Sequence, residues 1–398
     1  MKVSKYRKKN GETAWRVDIH LGRDPLTGKK RNTTLQGFST EKQAYLAGTR
    51  RLTEKRIKSG GTSVTFEEVC DEWLETYRLT VKESTFTSQL FIINRYILPK
   101  LGDMRVKQIT PQLCQEAVNH WYSNYKNYSN MIGLASRILE YARVHLQLIR
   151  DNPMKDTIRP KRRLKIDERK YEAPYYSRQQ LLYFLECVEE LGDPQASVVF
   201  RIIAFTGMRE GEVVGLKWTD FNESKGTLTV RRSVARGEDY KRILQTPKTP
   251  ASQREISLDP VTINVLKRWK KEQRKRLSSL GFNIFSKEQF IISDENNNFQ
   301  YAGYPYALLK KLRKKSDIDY ITVHGLRHTH CTLLIESGIP IKEVQKRLGH
   351  ENSDMVMEVY SHINKDRMGA IGSEFANFVE KKVRKKEIPY RYYHHSLT

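Results

Sequence analysis

Two breaks constrain this chain more than any other feature. At Gly60-Gly61-Thr62-Ser63, two glycines and two small polar residues interrupt every periodic pattern. At Arg159-Pro160-Lys161-Arg162-Arg163, a proline sits inside a run of like charge. Paired glycines lose much conformational entropy when ordered, and the residue before a proline is pushed out of the helical region, so neither stretch continues a helix or strand. What lies between must fold as separate units, and 398 residues suffice for two or three, each with a core. We divide the chain into domains at 1–60, 64–156 and 173–378, with a basic linker at 157–172 and a basic tail at 379–398.

Each segment has its own pattern. In the first, Trp15, Val17, Ile19 and Leu21 alternate with Arg16, Asp18 and His20, the period of a half-buried strand. A turn at Arg23-Asp24-Pro25-Leu26-Thr27-Gly28 leads to a second extended run, Lys30 to Phe38. Thr40-Glu41-Lys42-Gln43 then reads as a capping box opening a helix to about Lys58. We expect a small three-stranded sheet with its Trp15 face on that helix and Arg16 and His20 outward, a face able to enter a DNA major groove. The second segment reads as four helices. They open at Thr65-Phe66-Glu67-Glu68, at Ser84, at Thr110-Pro111 and before Leu134; Pro99-Leu101-Gly102 ends the second, and Asn152-Pro153 closes the fourth. Its Tyr-rich stretch from Trp121 to Tyr128 is either a phosphate contact or a plain loop. The third segment mixes helices, capped at Ser177 and Asp193 and starting near Pro260 and Tyr306, with strands at Thr227–Val234, Arg242–Gln245 and Arg254–Leu258. The whole is multidomain, mainly α with small β-sheets.

The net charge is +25, which points to a polyanionic partner. It is uneven: residues 1–60 carry 16 Lys/Arg against 5 Asp/Glu, and the tail from 379 carries 6 against 2, whereas residues 61–156 hold 11 of each. A basic arm, linker and tail imply several contacts along a nucleic-acid backbone, among them Arg159, Lys161, Arg162 and Arg163. The four cysteines are far apart in sequence and read as reduced packing residues. No apolar run is long enough for a membrane span, and the basic N-terminus lacks a signal peptide's apolar core, so we expect a cytoplasmic protein without a membrane partner.

Chemistry-bearing residues gather late in the chain. Arg209 lies where an apolar helix ends at Gly207 and another begins; Glu212, three residues on, can orient its guanidinium. Lys248 lies in Thr246-Pro247-Lys248-Thr249 between extended segments, with Lys225 and Lys241 nearby as alternatives. His324 and Arg327 are three apart; His350 ends a helix, and Tyr360 comes ten residues later. His324 and His328 have zinc-compatible spacing, but no glutamate stands between them as in a His-Glu-x-x-His motif and no acidic third ligand is near, so we expect no metal.

In order and type, Arg209, Lys248, His324-x-x-Arg327, His350 and Tyr360 resemble the signature of the tyrosine recombinase (phage integrase) family. The flanking strings agree: Thr-Gly-x-Arg-x-x-Glu, Lys-Thr-x-x-Ser-x-Arg, His-x-Leu-Arg-His and Leu-Gly-His. The resemblance covers Ala173 to Phe378 and extends more loosely to a SAM-like core-binding domain and an arm-type DNA-binding domain, the layout of integrases of temperate phages and conjugative transposons. It implies an α+β catalytic domain and site-specific strand exchange on double-stranded DNA, at core and arm sites, through a 3′-phosphotyrosine and a Holliday junction, by a homotetramer, without metal, ATP or other cofactor. Tyr360 would be the nucleophile, Arg209 and Arg327 the phosphate grips, Lys248 the general acid, and His324 and His350 the groups that position phosphate or take the tyrosine proton. A DNA-bending protein, an excisionase and a bacterial host are further implications. A type IB topoisomerase shares the chemistry, but would have no use for a second DNA-binding domain; a non-cutting DNA-binding protein would have no need of Tyr360 and both arginines.

Overall fold

The structure is a computed structural model that describes residues 2–8, 12–23, 30–41, 43–45, 47–48, 51, 64–161, 174–247, 249–349, 357, 373 and 375–376. Lys248, His350, Tyr360, Arg162, Arg163, the Gly60-Gly61 joint and the basic tail fall, wholly or in large part, outside the described residues. The chain divides into two compact units, one over residues 1–169 and one over 170–398 apart from a turn at 237–239.

The first unit opens with an antiparallel sheet, β1 (Lys2–Arg7), β2 (Thr13–Arg23) and β3 (Lys30–Phe38), in the order β1-β2-β3. Val17 and Ile19 bury against Ala44 of the next helical stretch. Trp15 is only partly buried, because the ladder shifts register between Trp15 and Arg16 and puts Ala14 in the inward position. A bulge sets two residues against one and reverses the alternation, which a period of two does not foresee. Arg16 is exposed and donates from Nε to Ser4 Oγ at 3.1 Å. Thr40 caps Gln43 as expected, while Gln43 Oε1 turns back to Ser39.

The helical part comes next: α1 (Phe66–Arg78), α2 (Glu83–Ile92), α3 (Pro111–Asn124) and α4 (Tyr128–Val144). The capping box at Thr65 and the cap at Thr110 form as expected. Two expectations are corrected. The cap of α2 is Lys82, not Ser84; its helical path continues through a π turn (Ile93–Ile97) into Leu98–Leu101 and ends there at Gly102, within the stretch expected to end it. Pro99 is tolerated there because it stands in a new first turn, where its missing N–H is not needed. Likewise α4 ends before Ile149: Gln147 takes a positive φ of 50°, and Asn152 folds back to donate to Ser136 O and Glu140 Oε2. Trp121 belongs to the core of this part, fully buried with its indole N–H on Tyr96 O at 3.1 Å. Ile158 and Pro160 are pinned to this helical part by Gln115 and the Tyr128 hydroxyl, while Arg159 and Lys161 remain exposed.

The second unit contains α5 (Arg178–Glu190), α6 (Pro194–Thr206) and α7 (Glu210–Val214), then two small antiparallel sheets. One is β4 (Phe221–Asn222), β5 (Thr227–Val230) and β8 (Arg254–Ser257); the other is β6 (Ser233–Arg236) with β7 (Arg242–Gln245). The one strand expected over Thr227–Val234 divides at Arg231-Arg232, because both guanidinium groups turn to the buried carboxylate of Asp220. Four further helices of this unit lie among the described residues: α8 (Pro260–Ser279), α9 (Tyr304–Arg313), α10 (Val323–Glu336) and α11 (Ile341–Leu348). Helix α6 is apolar nearly all round (Val199, Phe200, Ile202 and Ile203 are inaccessible) and packs on α5, α8 and α10. It is therefore the axis of this core, and its C-terminal end delivers the next segment to the site. All four cysteines are buried free thiols, and none of the described helices is long and apolar enough to cross a membrane.

Candidate active site

The site begins where α6 stops. Gly207 caps the helix in the left-handed region at φ 64°, and the chain turns at once into α7, with Arg209 at the cap position. A methyl group on Gly207 would lie 2.5 Å from Leu348 Cδ2 and 2.7 Å from His330 Cδ2, so glycine is required by both conformation and space. Glu212 fixes the direction of the Arg209 side chain. It is 2% exposed, and its oxygens accept from the backbone N–H of Arg209 at 3.1 Å and from Arg209 Nη1 at 2.8 Å. Glu212 stands where an orienting carboxylate would.

A second cation shares that carboxylate. Arg254 Nη2 donates to Glu212 Oε2 at 3.0 Å. Burial by itself would raise the Glu212 pKa, but Arg254 and then Arg209 outweigh it and hold the group below the usual carboxylate range. Arg209 Nη1 also reaches Ser252 Oγ at 3.4 Å, and Ser252 is tied to Thr249 at 3.0 Å. The Lys-Thr-x-x-Ser-x-Arg string is thus anchored to Arg209 on its C-terminal side.

Helix α10 supplies the other half. Arg327 is 1% exposed; Nη1 donates to Gly207 O at 2.5 Å and Nη2 to Leu348 O at 2.8 Å. Its Nε is buried with no partner among the described residues. Burial, and then the charge of Arg209, pulls its pKa down to about 9, which leaves it a cation at neutral pH. His324, one turn earlier, stacks edge-on with His328 at 4.8 Å. Desolvation in the cleft, then the charges of His328, Arg327 and Arg209, keeps its pKa below the ordinary imidazole range, so it is neutral at pH 7. His330 faces away: Nδ1 bonds Ala204 O at 2.9 Å and Nε2 accepts from Arg347 Nε at 3.1 Å, which makes Nδ1 the protonated nitrogen. Its role is structural. Among the described residues no three His, Cys, Asp or Glu side chains are grouped as metal ligands.

Arg209, His324 and Arg327 line one cleft of about 570 Å³, with Ser233, Tyr306 and Thr322 on its other walls. Lys225 lies exposed in the β4–β5 turn, and neither it nor Lys241 lines that cleft. Two guanidinium groups on one cleft make it an anion site: Arg327 is desolvated with both terminal nitrogens on backbone carbonyls, and Arg209, one-third exposed, is the fork open to a phosphate. Of the residues singled out from the sequence, the structure brings Arg209, His324 and Arg327 to one cleft, with Glu212 bonded to Arg209. Sequence reading gave no role to Arg254, Ser252, His330 or Arg347. For Arg254 a signal existed: in β8 it shares the inward register with buried Ile256, and a cation at an inward strand position needs a buried partner.

The Phage integrase family matches residues 178–367, its N-terminal SAM-like domain residues 65–122, and the Arm DNA-binding domain residues 3–54. The ICEBs1 integrase of Bacillus subtilis (strain 168) is 27% identical over 369 residues, 89% of this chain and 94% of that one. The transposase of transposon Tn916 from Enterococcus faecalis is 22% identical over 304 residues, covering 73% and 72%. In fold the chain is similar to the Tn1549 transposon integrase solved in complex with transposon right end DNA, at a TM-score of 0.60 and 21% identity over 79% of this chain and 100% of that one. It is similar also to a lambda integrase tetramer bound to a Holliday junction, at 0.54 and 19% over 88% and 96%. The chain belongs to the tyrosine recombinase (phage integrase) family and is a tyrosine-type site-specific recombinase. Within that family it is an integrase of the mobile-element type, found in phages and conjugative transposons.

Proposed function

We propose that this protein integrates and excises a mobile element's DNA, a prophage or a conjugative transposon, by strand exchange through Tyr360. The observation that carries the proposal is the convergence of Arg209, Arg327 and His324 on one cleft, with the carboxylate that orients Arg209 buried behind it. A scissile phosphate held there accepts N–H bonds from both arginines. The Nε of Arg327, without a partner among the described residues, is a donor such a ligand would satisfy, and a buried unmet donor costs about 1–3 kcal/mol.

Tyr360 Oη attacks the phosphorus and forms an O–P bond as the bond to the 5′-oxygen breaks. The tyrosine proton passes to a histidine, His324 or His350, and Lys248 protonates the departing 5′-oxygen. A free tyrosine ionises near pH ~10, so the reaction needs that base. Neutral His324 has a nitrogen able to accept the proton. The arginines stabilise the extra charge of the pentavalent transition state; a donor in such a position contributes roughly 10²–10³-fold. The phosphotyrosine keeps the bond energy, and a 5′-hydroxyl from the partner duplex reverses the step, passing through a Holliday junction. We propose that neither metal nor ATP takes part, since fixed positive side chains supply the charge.

The working assembly on this reading is a homotetramer on two duplexes in a bacterial cytoplasm, assisted by a DNA-bending protein and an excisionase. Core sites contact the 64–156 and 173–378 domains, and arm sites contact the 1–60 domain through Arg16 and His20, with Arg159, Lys161, Arg162 and Arg163 on backbone phosphates. The test is a suicide attachment-site duplex, nicked so that religation fails, incubated in EDTA without ATP. A covalent protein–DNA adduct is expected, and Tyr360→Phe abolishes it. Tight binding of that DNA with no adduct from the intact protein would overturn the proposal.

A further inference from the structure

The last turn of α11 is gripped by guanidinium groups. Arg254 Nε donates to Arg347 O at 2.7 Å, and Arg327 Nη2 donates to Leu348 O at 2.8 Å. Carbonyls at a helix C-terminus have no partner within the helix and carry its negative end, so cations satisfy them twice over. Arg254 also donates to Ser252 O at 2.9 Å and to Glu212, so one side chain joins the carboxylate that orients Arg209 to the end of α11. Arg347 extends the grip in another direction. Its Nη2 donates to Phe205 O at 3.0 Å and to Ser257 O at 3.1 Å, its Nη1 to Ser257 Oγ at 3.2 Å, and its Nε to His330. The ends of α6, β8 and α11 are thereby closed into one ring. Gly349 leaves that ring at φ 67°, and a methyl group there would stand 3.0 Å from both Ala251 O and Arg254 Cδ.

We propose that Arg254 and Arg347 are positioning residues for His350, the residue directly after Gly349. They fix where the chain departs from α11 relative to Arg209. The inference rests on the recombinase reading. Stability alone does not call for this arrangement, because well-packed apolar side chains in place of a buried ion pair are often neutral or stabilising. A fixed departure point is needed if His350 is to meet a phosphate held by Arg209, since misplacement by about 1 Å can cost roughly 10²-fold.

The test uses the full chain with Arg347→Met and Arg347→Lys, each alone and in a His350→Ala background. Three quantities are measured: single-turnover adduct formation on the suicide duplex at saturating protein, core-site affinity, and thermal unfolding. Arg347→Met is expected to slow adduct formation by about 10- to 100-fold, with affinity within about threefold of the intact protein. Arg347→Lys, which keeps the charge but not the fork, falls between, and is the variant to read if the methionine form does not fold. In the His350→Ala background the further loss shrinks to under about twofold, as expected when two residues act as a unit. A loss of equal size in both backgrounds, or none in either, would overturn the inference while the intact protein still forms its adduct. An intact protein that forms no adduct would instead overturn the recombinase reading.

Discussion

Replacing Gly207 by alanine asks the helix end that delivers Arg209 to accept one methyl group. Gly207 sits at φ 64°. An L-residue with a Cβ pays roughly 1–2 kcal/mol for that region. The methyl would also lie 2.5 Å from Leu348 Cδ2 and 2.7 Å from His330 Cδ2, in a part of the core that both helices fill. Overpacking of that kind costs about 1–3 kcal/mol. Together these give about 2–5 kcal/mol, and at about 2–4 °C per kcal/mol for a unit of this size the midpoint falls by roughly 4–20 °C. Gly192 supplies the control. Its φ is 66°, but nothing lies within 4 Å of the position its Cβ would take. Gly192→Ala therefore carries only the conformational part, about 1–2 kcal/mol. Scanning calorimetry of both variants isolates the contact. Gly207→Ala is also expected to slow adduct formation, since Gly207 O is an acceptor of Arg327, whereas Gly192→Ala leaves the rate unchanged. Equal midpoints for the two variants would refute the close approach of α6, α10 and α11 on which the site is built.

Burial, then the charge of Arg347, pushes the His330 pKa down to about 3, against roughly 6.5 in an unfolded chain. The unfolded chain binds that proton more readily, so stability is full above about pH 6.5 and is lost as pH falls toward 3; unfolding midpoints from pH 7.5 to 4.5 should fall more steeply in the intact protein than in His330→Gln, and parallel curves would count against the assignment. Trp121→Phe deletes the indole N–H on Tyr96 O, at an expected cost of about 1 kcal/mol to the helical domain with the second unit's transition unmoved. Arg159→Ser should lower the salt slope of DNA binding by about 1 without changing sequence preference, as removal of a phosphate contact does; an unchanged slope in a mobility-shift series would remove Arg159 from the interface.

Much of the fold could be read from local chemistry. The capping boxes at Thr65 and Ser177, the caps at Thr110 and Asp193 and the short strands of the second unit stand close to where their residues predict. A cap is decided within four residues, so its signal is in the sequence. The misreadings were where distant groups intervene. Asp220 divides a strand by drawing Arg231 and Arg232 to itself, Asn152 folds back onto α4, and a register shift turns Trp15 partly outward.

The site divides in the same way. Residue types and order alone marked Arg209, Glu212, His324 and Arg327 as members of one chemical set, because a phosphate needs guanidinium forks and a fork needs a carboxylate behind it. Only the tertiary structure decided that Glu212 is shared with Arg254, that Arg327 spends its terminal nitrogens on Gly207 and Leu348, and that His330 is a strut and not a ligand. The physical reason is sequence separation. These bonds join segments 21 to 126 residues apart, and which buried donor meets which distant carbonyl is set by how the helices pack around α6.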